Sequence, residues 1–505
     1  MTTLIKNVQL IDGTGRASAK ADVLIKNDKI FAMGSFPSYK AAHIIDGMGA
    51  YLAPGFIDIN NDSDRYLTIF SNPSQKDLLL QGVTTIIGGQ CGSSLAPLIY
   101  GSLGAIKHWT DIDAVNISWR TVGEFLKVLS RRQLGVNFGT LVGHGTIKRD
   151  LIGDDFRDLT KNEINVFKSI LEKSLKEGAF GFSTGLGYGQ GIETPYEEIK
   201  ALLSIVSKHK AFYASHLRDE KKGLLSSINE TLNLAKESRV KTLISHFRPI
   251  MGYKKDYEQS LELISQSLHI VDVYFDLYPF STSTVSIHSF LPNWVLRGGE
   301  EVIKENLKNP DIREKIIKEL PRLKGEEILI SHAPKHPYLV GKTLKEFSDN
   351  RNSEVREGLL ALMELTNFQA VVFYKNISIV GVKEALKHSQ AVIASNSAAF
   401  ADSFKVLKPD RATQTFPKFL EMAEKSLPAG RQGLMPVEEA VKKITSLPAK
   451  ILGLKGRGVI RDGNFADLTI FKDGKIQTVI VNGKIAVNNS QFTNILAGKV
   501  LRREP

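Results

Sequence analysis

Across residues 53–452, short β-branched runs alternate with amphipathic helical stretches, and this alternation confines the chain to a parallel α/β architecture. The strand-like runs include 84–87, 138–142, 180–182, 212–214, 242–244, 271–275 and 391–394, with helix-like segments such as Lys161–Lys176 and Tyr196–Lys208 between most of them. A (β/α)8 barrel and a doubly wound sheet both satisfy that rhythm. The barrel is favoured because candidate reactive residues follow many different strands, and in a barrel those strand ends converge on one face. The two ends of the chain differ from the middle. There, short apolar runs are separated by Asp12-Gly13, Asp473-Gly474 and Asn482-Gly483, pairs that tolerate positive φ and signal hairpins. Neither end has enough strands to bury two faces, so residues 1–52 and 453–505 are expected to combine into one small β-domain. A stretch with a Trp, a Gly-Gly and a long charged run breaks the barrel rhythm, and is expected to be an insertion over the barrel mouth at about 286–345.

Composition narrows the class. With 505 residues, 42% of them hydrophobic and 24% charged, the chain can bury a large core. No apolar run approaches the roughly 18 residues needed to span a bilayer, so no membrane is expected. Residues 1–11 alternate polar and apolar types without the apolar block of a signal peptide, which predicts a cytoplasmic protein. The net charge is +12, but the lysines are dispersed along helix-like segments and no aromatic residues interleave a basic motif. A solvated basic surface is therefore expected rather than a nucleic-acid partner. A single cysteine excludes an intrachain disulfide and leaves burial, reactivity or metal ligation.

That cysteine, Cys91, follows the run at 84–87 through Gly88-Gly89. His216 ends the run at 212–214, and His246 the run at 242–244. The two histidines are one strand–helix unit apart, and neighbouring strands lie about 4.8 Å apart, so their imidazoles can meet at one ion. One thiolate and two imidazoles suit a borderline-soft metal such as zinc, with a fourth position open for water.

Six segments carry a resemblance to a known family: LAPGFID at 52–58, GVTTIIGGQCGSSLAP at 82–97, LVGHGT at 141–146, GAFGFSTGL at 178–186, YASHLRDE at 213–220 and the tail at 446–467. They resemble, in order and over nearly the whole chain, the D-aminoacylase (N-acyl-D-amino-acid deacylase) branch of the amidohydrolase superfamily. The resemblance implies a (β/α)8 barrel with a small β-domain, a small-molecule N-acyl amino acid as substrate, and a tight zinc on Cys91, His216 and His246. It also implies substrate contacts at Tyr278, at Thr284 and at Arg411, whose planar fork suits a carboxylate. His144 is expected near the substrate at the barrel mouth.

Two departures stand out. Where the family carries a His-x-His for a second, weaker metal, this sequence has Asn60 and Asp62. Asp62 retains an oxygen ligand, Asn60 offers only a weak neutral one, and a turn or hydrogen-bonding role competes for both. Where the family has its proton-carrying Asp, this sequence has Asn396, an amide that orients water but does not carry protons near pH 7. Asp402 would substitute only if its loop folds back. Two alternatives to N-acyl-amino-acid hydrolysis stay open: an impaired homologue that binds metal and a carboxylate, and a hydrolase of a different or cyclic amide.

Overall fold

The central strands, in chain order, are β1 (Phe56–Asp58), β2 (Val83–Gly88), β3 (Asn137–Thr140, continued by Val142–Gly143), β4 (Gly181–Gly185), β5 (Phe212–His216), β6 (Lys241–Ile244), β7 (Val273–Leu277) and β8 (Ala391–Ile393). The computed structural model describes residues 2–100, 103–106, 109–110, 112, 115–153, 155–296, 299–400, 406–424 and 433–504. Parallel pairing joins β1 to β2 to β3, and Val142–Gly143 through β4, β5, β6 and β7 to β8. Strands such as β2 and β7 are buried on both faces, so their residues do not alternate between buried and exposed. The helices between them turn one stripe inward. Lys161–Lys176 begins at a reciprocal Thr160–Glu163 cap and buries Phe167, Leu171 and Leu175.

Polar contacts close the ring between β8 and β1. Asp58 accepts hydrogen bonds from the Ser395 backbone at 2.9 Å and from Asn61 Nδ2 at 2.8 Å. The Asn396 N–H donates to the Asn60 carbonyl at 2.9 Å, and the Asp62 N–H to the Ser397 carbonyl at 2.8 Å. Burial outweighs these donors and raises the Asp58 carboxyl to about 6. The folded value lies above the unfolded one, so the folded chain holds this proton more tightly and loses stability as pH rises from about 4 to about 6. Asp58→Asn lacks that loss. Its destabilisation relative to the parent is therefore expected to shrink by about 2–3 kcal/mol between pH 4 and 7, as read by urea denaturation of both proteins.

Strands from both ends of the chain form one nine-stranded sheet. Its seam pairs Tyr51–Pro54 antiparallel with Leu468–Lys472, over a core that includes Ile5, Val23, Leu52 and Ile480. The last residues leave that sheet. The Lys499 carbonyl accepts from Phe138 N–H at 2.9 Å and the Arg503 N–H reaches the Gly178 carbonyl at 2.9 Å, so the tail runs along the barrel. The expectation that all of 453–505 belongs to the β-domain is corrected there.

The insertion is also longer than the expected 286–345. Thr282–Ser286, Val371–Lys375 and Ile328–His332 form a separate antiparallel sheet, with its own core of Ile287, Ile330, Leu359 and Val372. In the sequence, helix Val355–Leu365 followed by a strand imitates a barrel unit; pairing alone assigns it to the insertion. Among the described residues, no helix is long and apolar enough to cross a membrane.

Candidate metal centre and substrate cavity

In-register parallel pairing brings the candidate ligands to one end of the barrel. Gly185 lies opposite His216, and Ser215 opposite Ile244, two residues before His246. One ligand atom from each of Cys91, His216 and His246 lies within 4.8 Å of the others. Cys91 Sγ is 3.4 Å from His246 Nε2, and the two imidazole centroids are 4.3 Å apart. Cys91 and His246 stand in the left-handed region, with φ of 52° and 37°. Non-glycine residues adopt that region at a cost, and here it turns both side chains from their strands toward a common centre. Gly92, at φ 76°, permits the crossing, since a Cβ there would come within 2.7 Å of the Gly185 nitrogen.

The electrostatics fit a cation. Burial pushes the Cys91 thiol up, but His246 and Arg65 beside it hold it well below its usual value, as a thiolate. Burial and the neighbouring His246 lower His216, leaving it neutral, and its Nδ1 is buried without a hydrogen-bond partner. His246 is buried too, yet the Cys91 and Glu220 charges carry it up to about 10. Its Nδ1 lies 3.2 Å from Glu220, which in turn pairs with Arg248. A carboxylate on the second nitrogen of a histidine fixes its ring for metal ligation. The donor set and its support therefore fit one borderline-soft ion.

A cavity of about 260 Å³, whose wall includes none of Cys91, His216 and His246, lies between the barrel mouth and the insertion. Tyr66, Trp109, Phe373, Phe400 and Leu407 make it largely apolar, while Arg411, Thr284, His332 and Ser397 supply polar groups. Arg411 NH1 donates to Asn396 Oδ1 at 3.0 Å, its guanidinium lies 4.7 Å over the Tyr278 ring, and its Nε has no hydrogen-bond partner. Thr284 Oγ1 is likewise buried without a partner. Burial alone would raise the Tyr278 phenol, but Arg411 and Arg248 bring it below its usual value. Tyr278 thus links the Arg411 side of the cavity to the His246 side of the metal centre.

Several expected residues are placed elsewhere. His144 does not line the cavity: its Nε2 is 2.7 Å from buried Glu198, which also pairs with Lys148, and its ring stacks on Phe167. The sequence put it after a strand, but it opens helix His144–Ile152 and turns into the barrel wall. Asn60 Nδ2 donates to Asp276 at 3.1 Å, and Asp62 Oδ1 lies 3.3 Å from Arg65 NH1. Strand β1 ends at Asp58, so the two-residue spacing of Asn60 and Asp62 falls in irregular backbone and carries no strand alternation. Asp402 lies outside the described residues. Arg65, Arg248 and Glu220 escaped the sequence reading. Arg248 follows His246 by two residues and Glu220 follows His216 by four, which is the only local signal they offer.

A barrel with this donor set at its strand ends, joined to a β-sheet drawn from both termini, is an amidohydrolase-type fold. The model of the amidohydrolase family matches residues 378–486. Over nearly its whole length the chain is similar to D-aminoacylases and N-acyl-D-amino-acid deacylases. It is 28% identical to a D-aminoacylase of Alcaligenes xylosoxydans xylosoxydans, across 99% of this chain and 97% of the relative. A solved D-aminoacylase studied for its binuclear metal centre superposes with a TM-score of 0.82 at 25% identity, covering 99% of each chain. The N-acyl-D-glutamate deacylase of Bordetella bronchiseptica, solved with zinc and a phosphonate inhibitor, shares the fold at a TM-score of 0.82 and 23% identity, again over 99% of both chains.

Proposed function

We propose that the chain hydrolyses the amide bond of N-acylated D-amino acids, using one metal ion, zinc by its donor set, held by Cys91, His216 and His246. The observation that carries this reading is the meeting of those three ligand atoms within 4.8 Å at the barrel end. Such an ion, when bound, polarises an amide carbonyl and makes water a better nucleophile. Arg411 receives the substrate carboxylate, Tyr278 and Thr284 offer hydroxyls to it or to the acyl carbonyl, and the apolar wall takes the acyl group or side chain. Glu220 holds His246 in place, and Arg248 holds Glu220. A cavity lined mainly by aromatic and aliphatic side chains favours substrates with an apolar group and a single carboxylate.

Asn396 sets the rate. Its amide orients a water but takes up no proton, so the parent chain is a slow hydrolase. Asn396→Asp is expected to raise kcat on N-acetyl-D-amino acids about tenfold to a hundredfold, below the roughly 10²–10⁴ that general acid–base catalysis contributes elsewhere. The shortfall arises because the new carboxylate would face Arg411, which lowers its basicity. Steady-state assays of both proteins test this. Rapid turnover by the parent with no gain in the variant removes Asn396 from its role. No turnover by either, with zinc and ligand still bound, favours the second reading that the Asn396 substitution motivates, a metal- and carboxylate-binding protein without catalysis.

A further inference from the structure

The neighbourhood of Cys91 holds a positive charge of its own. Arg65 is only 8% exposed, its NH1 lies 3.3 Å from Asp62 Oδ1, and its NH2 donates to the Gln90 carbonyl at 3.0 Å. Gln90 immediately precedes Cys91, so this contact seats the guanidinium at the turn that carries the candidate ligand. A guanidinium stays protonated at every accessible pH, so this cation is permanent.

The residues around it do not fit a second metal ion of the kind a binuclear relative contains. Asn60 commits its Nδ2 to Asp276. Two buried oxygens, Asn60 Oδ1 and Asp62 Oδ1, make no hydrogen bond, but the second already faces Arg65. That leaves one neutral amide oxygen, a poor seat for a dication, next to a fixed positive charge in a water-poor site.

We infer that Arg65 is a built-in cation that takes the electrostatic place of a second metal beside Cys91 and restricts this chain to one ion. The inference rests on the reading of Cys91, His216 and His246 as a metal centre. Arg65 pairs with Asp62 and sits at the turn that carries Cys91, so a fixed cation already occupies the place a second dication would take. It acts as a positioning and excluding group, with no contact to substrate required.

Metal stoichiometry tests this without any assay of turnover. Each protein is dialysed against excess zinc and then against buffer, and zinc per chain is measured by elemental analysis. Loading with cobalt gives a parallel count through its thiolate charge-transfer and ligand-field bands. The parent is expected to hold about one ion per chain even after millimolar zinc. Asn60→His/Asp62→His, which restores two imidazoles but keeps Arg65, is expected to remain at one. Adding Arg65→Gln to that pair is expected to raise the count to two, with the second ion leaving first on dialysis, whereas adding Arg65→Lys keeps it at one. A parent that takes two ions, a His pair that takes two with Arg65 present, or an Arg65→Gln triple variant that folds by circular dichroism and stays at one overturns the inference. If the triple variant fails to fold, the parent and the His pair still decide. A parent that binds none overturns the metal-centre reading instead.

Discussion

Cys91→Ala is expected to strip the chain of its zinc and lower hydrolysis of an N-acetyl-D-amino acid by about a thousandfold or more. Alanine carries the same Cβ as cysteine, so the left-handed backbone at φ 52° is no more strained than before and the loss falls on the ligand. Two imidazoles remain, and a site with two protein ligands holds zinc far more weakly than one with three. The consequence is plain at the carbonyl: without the ion, nothing in the cavity polarises the amide or acidifies water, contributions that account for several kcal/mol of barrier. Zinc per chain after dialysis and kcat/KM on the same preparations check this together. Zinc retained at about one equivalent by Cys91→Ala would sink the assignment of the sulfur as a ligand.

Arg411→Met carries the second large effect, a fall of about 10²–10³ in kcat/KM, mostly through KM. Hydrogen bonds to a charged group contribute about 1.5–3 kcal/mol each, and a guanidinium makes two to a carboxylate. Arg411 is prepared for this: it lies over Tyr278, is fixed by Asn396 and keeps Nε without a partner. Arg411→Lys is expected to recover only part of the loss, because a point charge neither forks onto a carboxylate nor stacks on the Tyr278 ring. An N-acetyl amine without the carboxylate should be hydrolysed poorly by the parent and no worse by Arg411→Met. If that neutral substrate suffers equally, Arg411 serves the fold or the chemistry and does not hold the carboxylate.

The parts that were legible in the sequence are those with a period. Strand–helix alternation and Asp-Gly or Asn-Gly turns repeat along the chain, so a parallel α/β core, hairpins at both ends and the strand-end positions of His216 and His246 follow from pattern, and the reactive residues after many strands favour the barrel. Register then does the rest, since parallel pairing of adjacent strands places their ends side by side. Pattern misled where it was imitated. Helix Val355–Leu365 and strand Val371–Lys375 have the rhythm of a barrel unit, and only antiparallel pairing with Thr282–Ser286 places them in the insertion.

Loops leaving the strands have no period, and there the tertiary structure decided everything. His144 and His246 both follow apolar strands, yet one enters a helix and pairs with Glu198, while the other turns through a left-handed residue toward Cys91. Asn60 and Asp62 stand two apart in sequence, but β1 has ended before them, so each finds a different partner, Asp276 and Arg65. Arg65 itself carries no sequence signal; its charge matters because folding buries it between Asp62 and the Gln90 carbonyl, beside Cys91. The sequence by itself determined the parallel α/β alternation, which follows from short-range periodicity, and the donor types that stand after its strands. Which side chains meet, and which cation stands beside Cys91, was decided by backbone torsions in the turns and by burial, which act between residues the sequence keeps far apart.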